Sequence, residues 1–292
     1  MNLQWYPGHM TKAIRMMQEN IKLIDIIIEV VDARIPASSR NPDIDELGKN
    51  KFRLIVLNKS DLADSAITKK WKAFYEEQGL IVMEMNSKTG NEAGKVKDLV
   101  QKACAEKIER DKKRGIVGRP IRAMVAGIPN VGKSTFINKL AGKASAKTGN
   151  KPGVTKGKQW ITLSKSMQLL DTPGILWPKF EDVQVGLRLA LIGSMNDENL
   201  DTAELACELI KYLDDFYPNI ISEKYNITQE QLSEFAQDQY STPASCVLSA
   251  IALNRKCLLS GGSPDISRAA SLLLDDFRNG RLGKISLERP EV

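Results

Sequence analysis

The sequence predicts an α/β domain over residues 1–178, built on a mostly parallel sheet, followed by a small all-helical domain over 179–292. Three observations carry that expectation. Through the first 178 residues, short β-branched apolar runs alternate with amphipathic stretches, the pattern of strands buried between helical layers. Beyond that point the strand signals vanish and apolar residues recur at helical spacing. The charge divides at the same place. Residues 1–178 carry 31 Lys and Arg against 18 Asp and Glu, and 179–292 carry 11 against 18, which together give the net +6.

In chain order, residues 8–23 read as an amphipathic helix with Met10, Ile14, Met17 and Ile21 on one face. Residues 25–32, 53–58, 80–86 and 121–127 have no Pro or Gly in their interiors and end in turn chemistry, so they read as parallel strands, each followed by a loop and a helical pattern. Between the third and fourth, residues 92–114 read as one long helix. Its basic end suits a helix C-terminus on dipole grounds alone. The runs 158–164 and 167–171 lie close enough to form an antiparallel pair. Helices are then expected at 183–192, 202–215, 228–236, 243–259 and 265–279. Thr228 with Gln231 makes a capping box, Gly261 and Gly280 act as helix stops, and Pro218 and Pro264 mark breaks. Trp177, beside Pro178, is expected to pack at the hinge between the two parts.

The composition, 27% charged, 42% apolar and 6% aromatic, is that of a globular protein and excludes disordered, collagen-like and disulfide-stapled classes. No run approaches 18 uncharged apolar residues, and the start, MNLQWYPGHMTK, lacks the basic-then-apolar pattern of a signal peptide. The four cysteines lie far apart and the chain has one histidine, so zinc is not expected, and reduced thiols in a cytoplasmic protein are. The basic first part suits polyanions such as nucleotide phosphates or RNA.

The strongest chemical signal is Gly127-Ile-Pro-Asn-Val-Gly132-Lys133-Ser134, which follows an expected strand and opens an expected helix. That is the context a phosphate-binding loop requires. Its glycines let backbone N–H groups close around a phosphate chain at a helix N-terminus. Asn130, Val131, Gly132, Lys133, Ser134 and Thr135 form the expected triphosphate cradle, with Lys133 reaching the β and γ phosphates and Ser134 ligating Mg²⁺. Asn58-Lys59-Ser60-Asp61, at a strand end, then selects the base. A fixed Asp61 carboxylate accepts from both N1–H and the 2-amino group of guanine, donors that adenine lacks. Asn86-Ser87-Lys88 follows the next strand, where a second base-contacting loop belongs, so Ser87 and Lys88 join the candidate site. Asp171-Thr172-Pro173-Gly174 ends the last strand, with Asp171 holding Mg²⁺ through water and the Gly174 amide sensing the γ-phosphate. Thr155, in the Gly/Ala/Lys-rich segment 142–158, is the expected second Mg²⁺ ligand.

These motifs are those of Ras-like GTPases in rotated order, base-reading loops first and phosphate loop last, so the chain resembles a circularly permuted P-loop GTPase. The sheet is unchanged by such a rotation; only the chain break moves. With Trp5-Tyr6-Pro7-Gly8-His9-Met10, Asp32-Ala33-Arg34 and the helical C-terminal part, it closely resembles the ribosome biogenesis GTPase A (RbgA/YlqF) family over nearly the whole chain. That resemblance implies GTP hydrolysis on the immature large ribosomal subunit, promoting a late assembly step and followed by release. In the rotated order the switch after Gly174 leads directly into the helical part, so nucleotide state can be transmitted there through the backbone.

Ras-like enzymes place a water-orienting glutamine just after Asp-x-x-Gly, where this chain has Ile175. Slow intrinsic turnover is expected, with help from elsewhere. His9 is the candidate to order the water, and in related GTPases an asparagine at the Asn130 position is associated with K⁺ beside the phosphates. For rRNA, Lys12, Arg15 and Lys22 offer one surface, and Arg255, Lys256, Arg268, Arg278, Arg281 and Lys284 a second, with routine solvated charges as the alternative. A nucleotide-dependent RNA-binding module with incidental hydrolysis stays open, as does a phosphate-transferring metabolic enzyme, which the base-reading loops disfavour.

Overall fold

A computed structural model describes residues 8–90, 92–142, 159–177, 180, 182–195, 200–239 and 241–290, with the side chains of residues 8–10 and 159 outside that description. The described chain opens with α1 (Gly8–Asn20) and one turn of 3₁₀ helix (Ile21–Leu23). Six strands follow: β1 (Ile26–Asp32), β2 (Phe52–Asn58), β3 (Ile81–Met85), β4 (Ile121–Ala126), β5 (Gln159–Ser164) and β6 (Met167–Asp171). They form one sheet in the order β3-β2-β1-β4-β6-β5. All neighbours run parallel except β5, which is antiparallel to β6, as the sequence predicts.

The parallel strands are buried over most of their length because helices cover the sheet. In β1 every residue is buried, including Glu29, whose carboxylate is held by Arg40 and Arg53. Helices α2 (Pro42–Leu47), α3 (Ser65–Glu77) and α4 (Ala93–Ala103) succeed their strands. Asp64 starts α3 by accepting from Ala66 and Ile67 N–H, the usual way an acidic N-cap satisfies orphan donors. The long helix expected at 92–114 is interrupted. Cys104 (φ −93°, ψ 10°) separates α4 from α5 (Ala105–Lys113), although its carbonyl still accepts from Ile108 N–H. α6 (Lys133–Ala141) follows the phosphate loop.

From α7 (Val183–Leu191) onward the described structure is helical: α8 (Thr202–Phe216), α9 (Ile220–Tyr225), α10 (Gln229–Phe235), α11 (Pro243–Asn254) and α12 (Ile266–Arg278). The Thr228–Gln231 capping box forms, and a second, Thr242–Ser245, opens α11. α11 stops five residues short of its expected end. Lys256 turns left-handed (φ +56°) and Cys257 N–H returns to Ala252 O, so a lysine fills the position usually given to glycine. Gly261 therefore lies in the following turn and is not a helix stop. Gly280 (φ +72°) does end α12, with Arg281 N–H on Asp276 O. Trp177 packs edge-on against Phe180.

The main apolar core is continuous from the sheet into the helices, joining Val30, Val125 and Phe136 to Leu189, Leu209 and Phe277. A second cluster, around Trp71 and Tyr75, fills the α3 side of the sheet. The four cysteines are free thiols. Among the described residues, no helix is long and apolar enough to cross a membrane.

The candidate nucleotide site

The expected site residues that are described converge on the carboxyl ends of β2, β3, β4 and β6, where ligands bind in open α/β sheets. Asn58 holds three loops together. Its Nδ2 donates to Val131 O in the phosphate loop (2.7 Å), and its Oδ1 accepts from Ser87 N–H (3.1 Å) and Ser87 Oγ (2.7 Å). Asn86 Oδ1 in turn accepts from the N–H of Lys88 and Thr89. Glycine is required at Gly132 by this arrangement. Its φ is +94°, and a Cβ there would lie 2.5 Å from Asn58 Nδ2. The Asp61 carboxylate is exposed at the loop edge, free to meet a base, and Lys59 (φ +58°) is held by Asp32 at 2.9 Å. Burial lowers the Lys59 pKa, with the Asp32 charge opposing it.

At the triphosphate end, Lys133 is buried and its Nζ donates to Ile128 O (2.7 Å), inside the same loop. Burial pulls its pKa down to about 8, against the attraction of Asp171. Gly174 closes over this ammonium: a Cβ there would lie 2.8 Å from Lys133 Nζ and from Pro129 backbone atoms. Ser134 and Thr135 stand half-buried in the first turn of α6.

Asp171 provides a fit test for a divalent cation. It is 1% exposed, yet neither carboxylate oxygen has a hydrogen-bond partner. Burial pushes its pKa up to about 6, against the attraction of Lys133. Buried carboxylates are ordinarily paired or metal-bound, so the residues fit Mg²⁺, with Asp171 and the Ser134 hydroxyl as the oxygen donors on hand. Mg²⁺, when bound, neutralises charge on the β and γ phosphate oxygens. Thr155 lies outside the described residues. So does the His9 side chain, although its backbone belongs to the first turn of α1.

The phosphate loop is also bonded to the helical part. Asn130 (φ +60°) donates from Nδ2 to Gly193 O (2.6 Å), and Ser194 Oγ donates to Pro129 O (2.8 Å). Ile175, in the position of the usual glutamine, is buried. Its N–H meets Gly127 O, and Asn41 Nδ2 donates to its carbonyl (3.1 Å).

A model of the family described as 50S ribosome-binding GTPase matches residues 122–250. Ribosome biogenesis GTPase A of Bacillus cereus is 46% identical over 291 residues, spanning 100% of this chain and 95% of that protein. The chain belongs to the ribosome biogenesis GTPase A family. A relative of the same name in Thermotoga maritima is 33% identical over 99% of this chain and 95% of its own length. The crystal structure of GNP-bound YlqF from T. maritima aligns with a TM-score of 0.64 at 29% identity, covering 96% of this chain and 99% of that one. A GDP-bound structure of TM YlqF aligns at 0.65 and 28%, covering 94% and 99%. The protein is thus a circularly permuted GTPase that hydrolyses GTP in ribosome biogenesis, and its family generally uses Mg²⁺.

The basic residues expected to meet RNA are not equivalent. Lys12 and Lys22 are exposed, as is Arg15, which lies 3.8 Å from Glu19. Lys256, Arg268 and Lys284 are exposed in the C-terminal part. Arg255 lies over the Tyr225 ring and donates to Lys224 O, and Arg281 is paired with Asp275 and Asp276. Arg278 turns inward, donating to Ala190 O (2.8 Å) and Leu191 O (3.0 Å) at the end of α7. Its cation is used inside the fold, completing the carbonyls that a helix C-terminus leaves open.

Sequence reasoning missed the chain end. Residues 280–288 carry no helical or strand periodicity, yet they run back along the base-reading side. Ile285 N–H bonds Leu62 O (3.0 Å), Leu287 N–H bonds Arg34 O (2.8 Å), and the Glu288 carboxylate accepts from the N–H of Ala37 and Ser38.

Proposed function

We propose that this GTPase binds the immature large (50S-type) ribosomal subunit in the cytoplasm as a monomer, promotes a late assembly step, and departs when GTP is hydrolysed. The observation that carries this reading is the direct bonding of the phosphate loop to Gly193 and Ser194 of the helical part. A change at the γ-phosphate therefore has a short route to a surface that meets a partner, as a nucleotide-timed binding cycle requires. Asn58, Lys59, Asp61, Ser87 and Lys88 hold guanine, residues 130–135 and Gly174 hold the phosphates, and Asp171, Ser134 and Thr155 attend Mg²⁺. Exposed Lys12, Arg15, Lys22, Lys256, Arg268 and Lys284 offer cations to rRNA phosphates, whose release of counterions makes binding salt-dependent.

Ile175 supplies no group to orient water, so the partner-bound state completes the machinery. In this reading His9 orders the water on the docked subunit, with K⁺ near Asn130 supplying positive charge. GTP hydrolysis measured with salt-washed large or small subunits, in K⁺ and in Na⁺, is expected to rise with large subunits only and more in K⁺. His9→Ala is expected to lose the stimulated rate while GDP affinity stays within about twofold. Equal stimulated rates in the two proteins would remove His9 from the reaction. The buried Ile175 also favours a second reading, an RNA-binding module whose hydrolysis is incidental; a rate indifferent to large subunits would select it.

A further inference from the structure

We infer that Arg34 is a positioning residue for guanine specificity: with Asp32 and the C-terminal segment 280–288, it sets the geometry of the loop that carries Asp61. The inference rests on the reading of Asn58-Lys59-Ser60-Asp61 as the guanine-binding loop.

Arg34 is 1% exposed and Asp32 is fully buried. The two are joined bidentately, Arg34 Nε to Asp32 Oδ1 and Nη2 to Oδ2, each at 2.9 Å, while Arg34 N–H also reaches Oδ1 (3.1 Å). The same Oδ2 accepts from Lys59 Nζ at 2.9 Å. Burial alone would raise the Asp32 pKa, but Arg34 and Lys59 hold it well below the usual carboxylate range. Lys59, which adopts a left-handed backbone that non-glycine residues seldom take, is thus tied through one carboxylate to a guanidinium that cannot move.

The guanidinium is fixed from the other side by the helical part. Arg34 Nη1 donates to Arg278 O (3.3 Å) and the group lies over the Phe277 ring, 5.2 Å from its centroid. The loop's far flank is held by the same part of the chain. Ile285 N–H meets Leu62 O, Asp64 N–H meets Ser286 Oγ (3.1 Å), and Gly280 leaves room for Leu62, which a Cβ would meet at 2.6 Å. Asp61 sits between these two anchorages with its own carboxylate exposed. Its aim at the base is therefore dictated by Asp32 and Arg34 on one side and by the chain end on the other. Docking of the chain end and occupancy of the guanine subsite are linked, so each favours the other.

The test compares GDP, IDP and ADP binding to the full-length protein by calorimetry. IDP lacks only the 2-amino group that Asp61 accepts, so the GDP:IDP affinity ratio reports the aim of that carboxylate and is blind to the phosphate end. In Arg34→Met the ratio is expected to fall about tenfold, with Arg34→Lys recovering part of it. Ser286→Ala, which removes the hydroxyl that accepts from Asp64 N–H, is expected to lower the ratio about threefold and serves if Arg34→Met does not fold. A protein with a lowered Tm but the wild-type GDP:IDP ratio in these variants makes Arg34 a purely structural ion-pair member and overturns the inference. A wild-type protein that binds GDP, IDP and ADP alike removes the guanine-loop reading itself, and the inference with it.

Discussion

Lys133→Ala is expected to weaken GTP and GDP binding by about 10- to 150-fold, the largest single effect on affinity in the molecule. A charge-assisted bond to a phosphate contributes roughly 1.5–3 kcal/mol, and in the proposed site Lys133 would meet the most densely charged part of the ligand. Its Nζ donates to Ile128 O, which holds the ammonium inside the loop. That position is unfavourable to its charge, because burial lowers its pKa to about 8. A lysine whose folded pKa is depressed carries a penalty below that value, relieved as pH rises from about 8 towards its ordinary range. A bound phosphate reverses the sign by favouring the ammonium. Calorimetric GDP titrations of wild type and Lys133→Ala between pH 7 and 9 check both statements: affinity is expected to decline with pH in the wild type only.

Asp171→Asn is expected to move stability and activity in opposite directions. The Asp171 carboxylate is buried without a hydrogen-bond partner, and its pKa stands at about 6. A carboxyl whose folded pKa is raised destabilises the fold above that pH, and the penalty fades as pH falls from about 6 towards 4. A shift of this size corresponds to roughly 2–3 kcal/mol at neutral pH. Burying the unpaired Asn amide returns part of it. The nucleotide-free Asn variant is therefore expected to melt roughly 2–5 °C above wild type at pH 7.5. GTP hydrolysis in Mg²⁺ is expected to fall by about 10²-fold or more, because an amide cannot bring the negative charge a divalent cation needs. Thermal denaturation followed by a hydrolysis assay decides it. A destabilised variant would mean that the carboxylate is satisfied by the fold and not kept for a cation.

The parallel strands were legible because they are buried on both faces, which demands continuous β-branched runs such as IIIEVV and LIVL. The candidate loops could be picked out because their glycines are fixed by close approach: Gly132 must pass Asn58, and Gly174 must pass Lys133 and Pro129. What escaped the sequence depends on long-range contact. The break at Cys104 has no Pro or Gly to announce it. The end of α11 was hidden because Leu258 and Leu259 continue the apolar rhythm while Lys256 bears the left-handed turn. α9 is one short helix bracketed by left-handed Asn219 and Asn226, too brief to show a period. The inward turn of Arg278 and the return of residues 280–288 to Leu62 and Arg34 are properties of packing between segments far apart in the chain. No local pattern encodes them.

Asn130 and Pro129 of the phosphate loop are bonded to Gly193 and Ser194, and we propose that nucleotide state passes into the helical part by this route. Amide hydrogen exchange over residues 186–195, measured on the GDP-bound protein and with a non-hydrolysable GTP analogue, tests it most directly. Protection in this segment is expected to differ between the two nucleotides, with Asn130→Ala erasing the difference. Identical exchange in both states, with changes confined to residues 127–135 and 171–176, would contradict it.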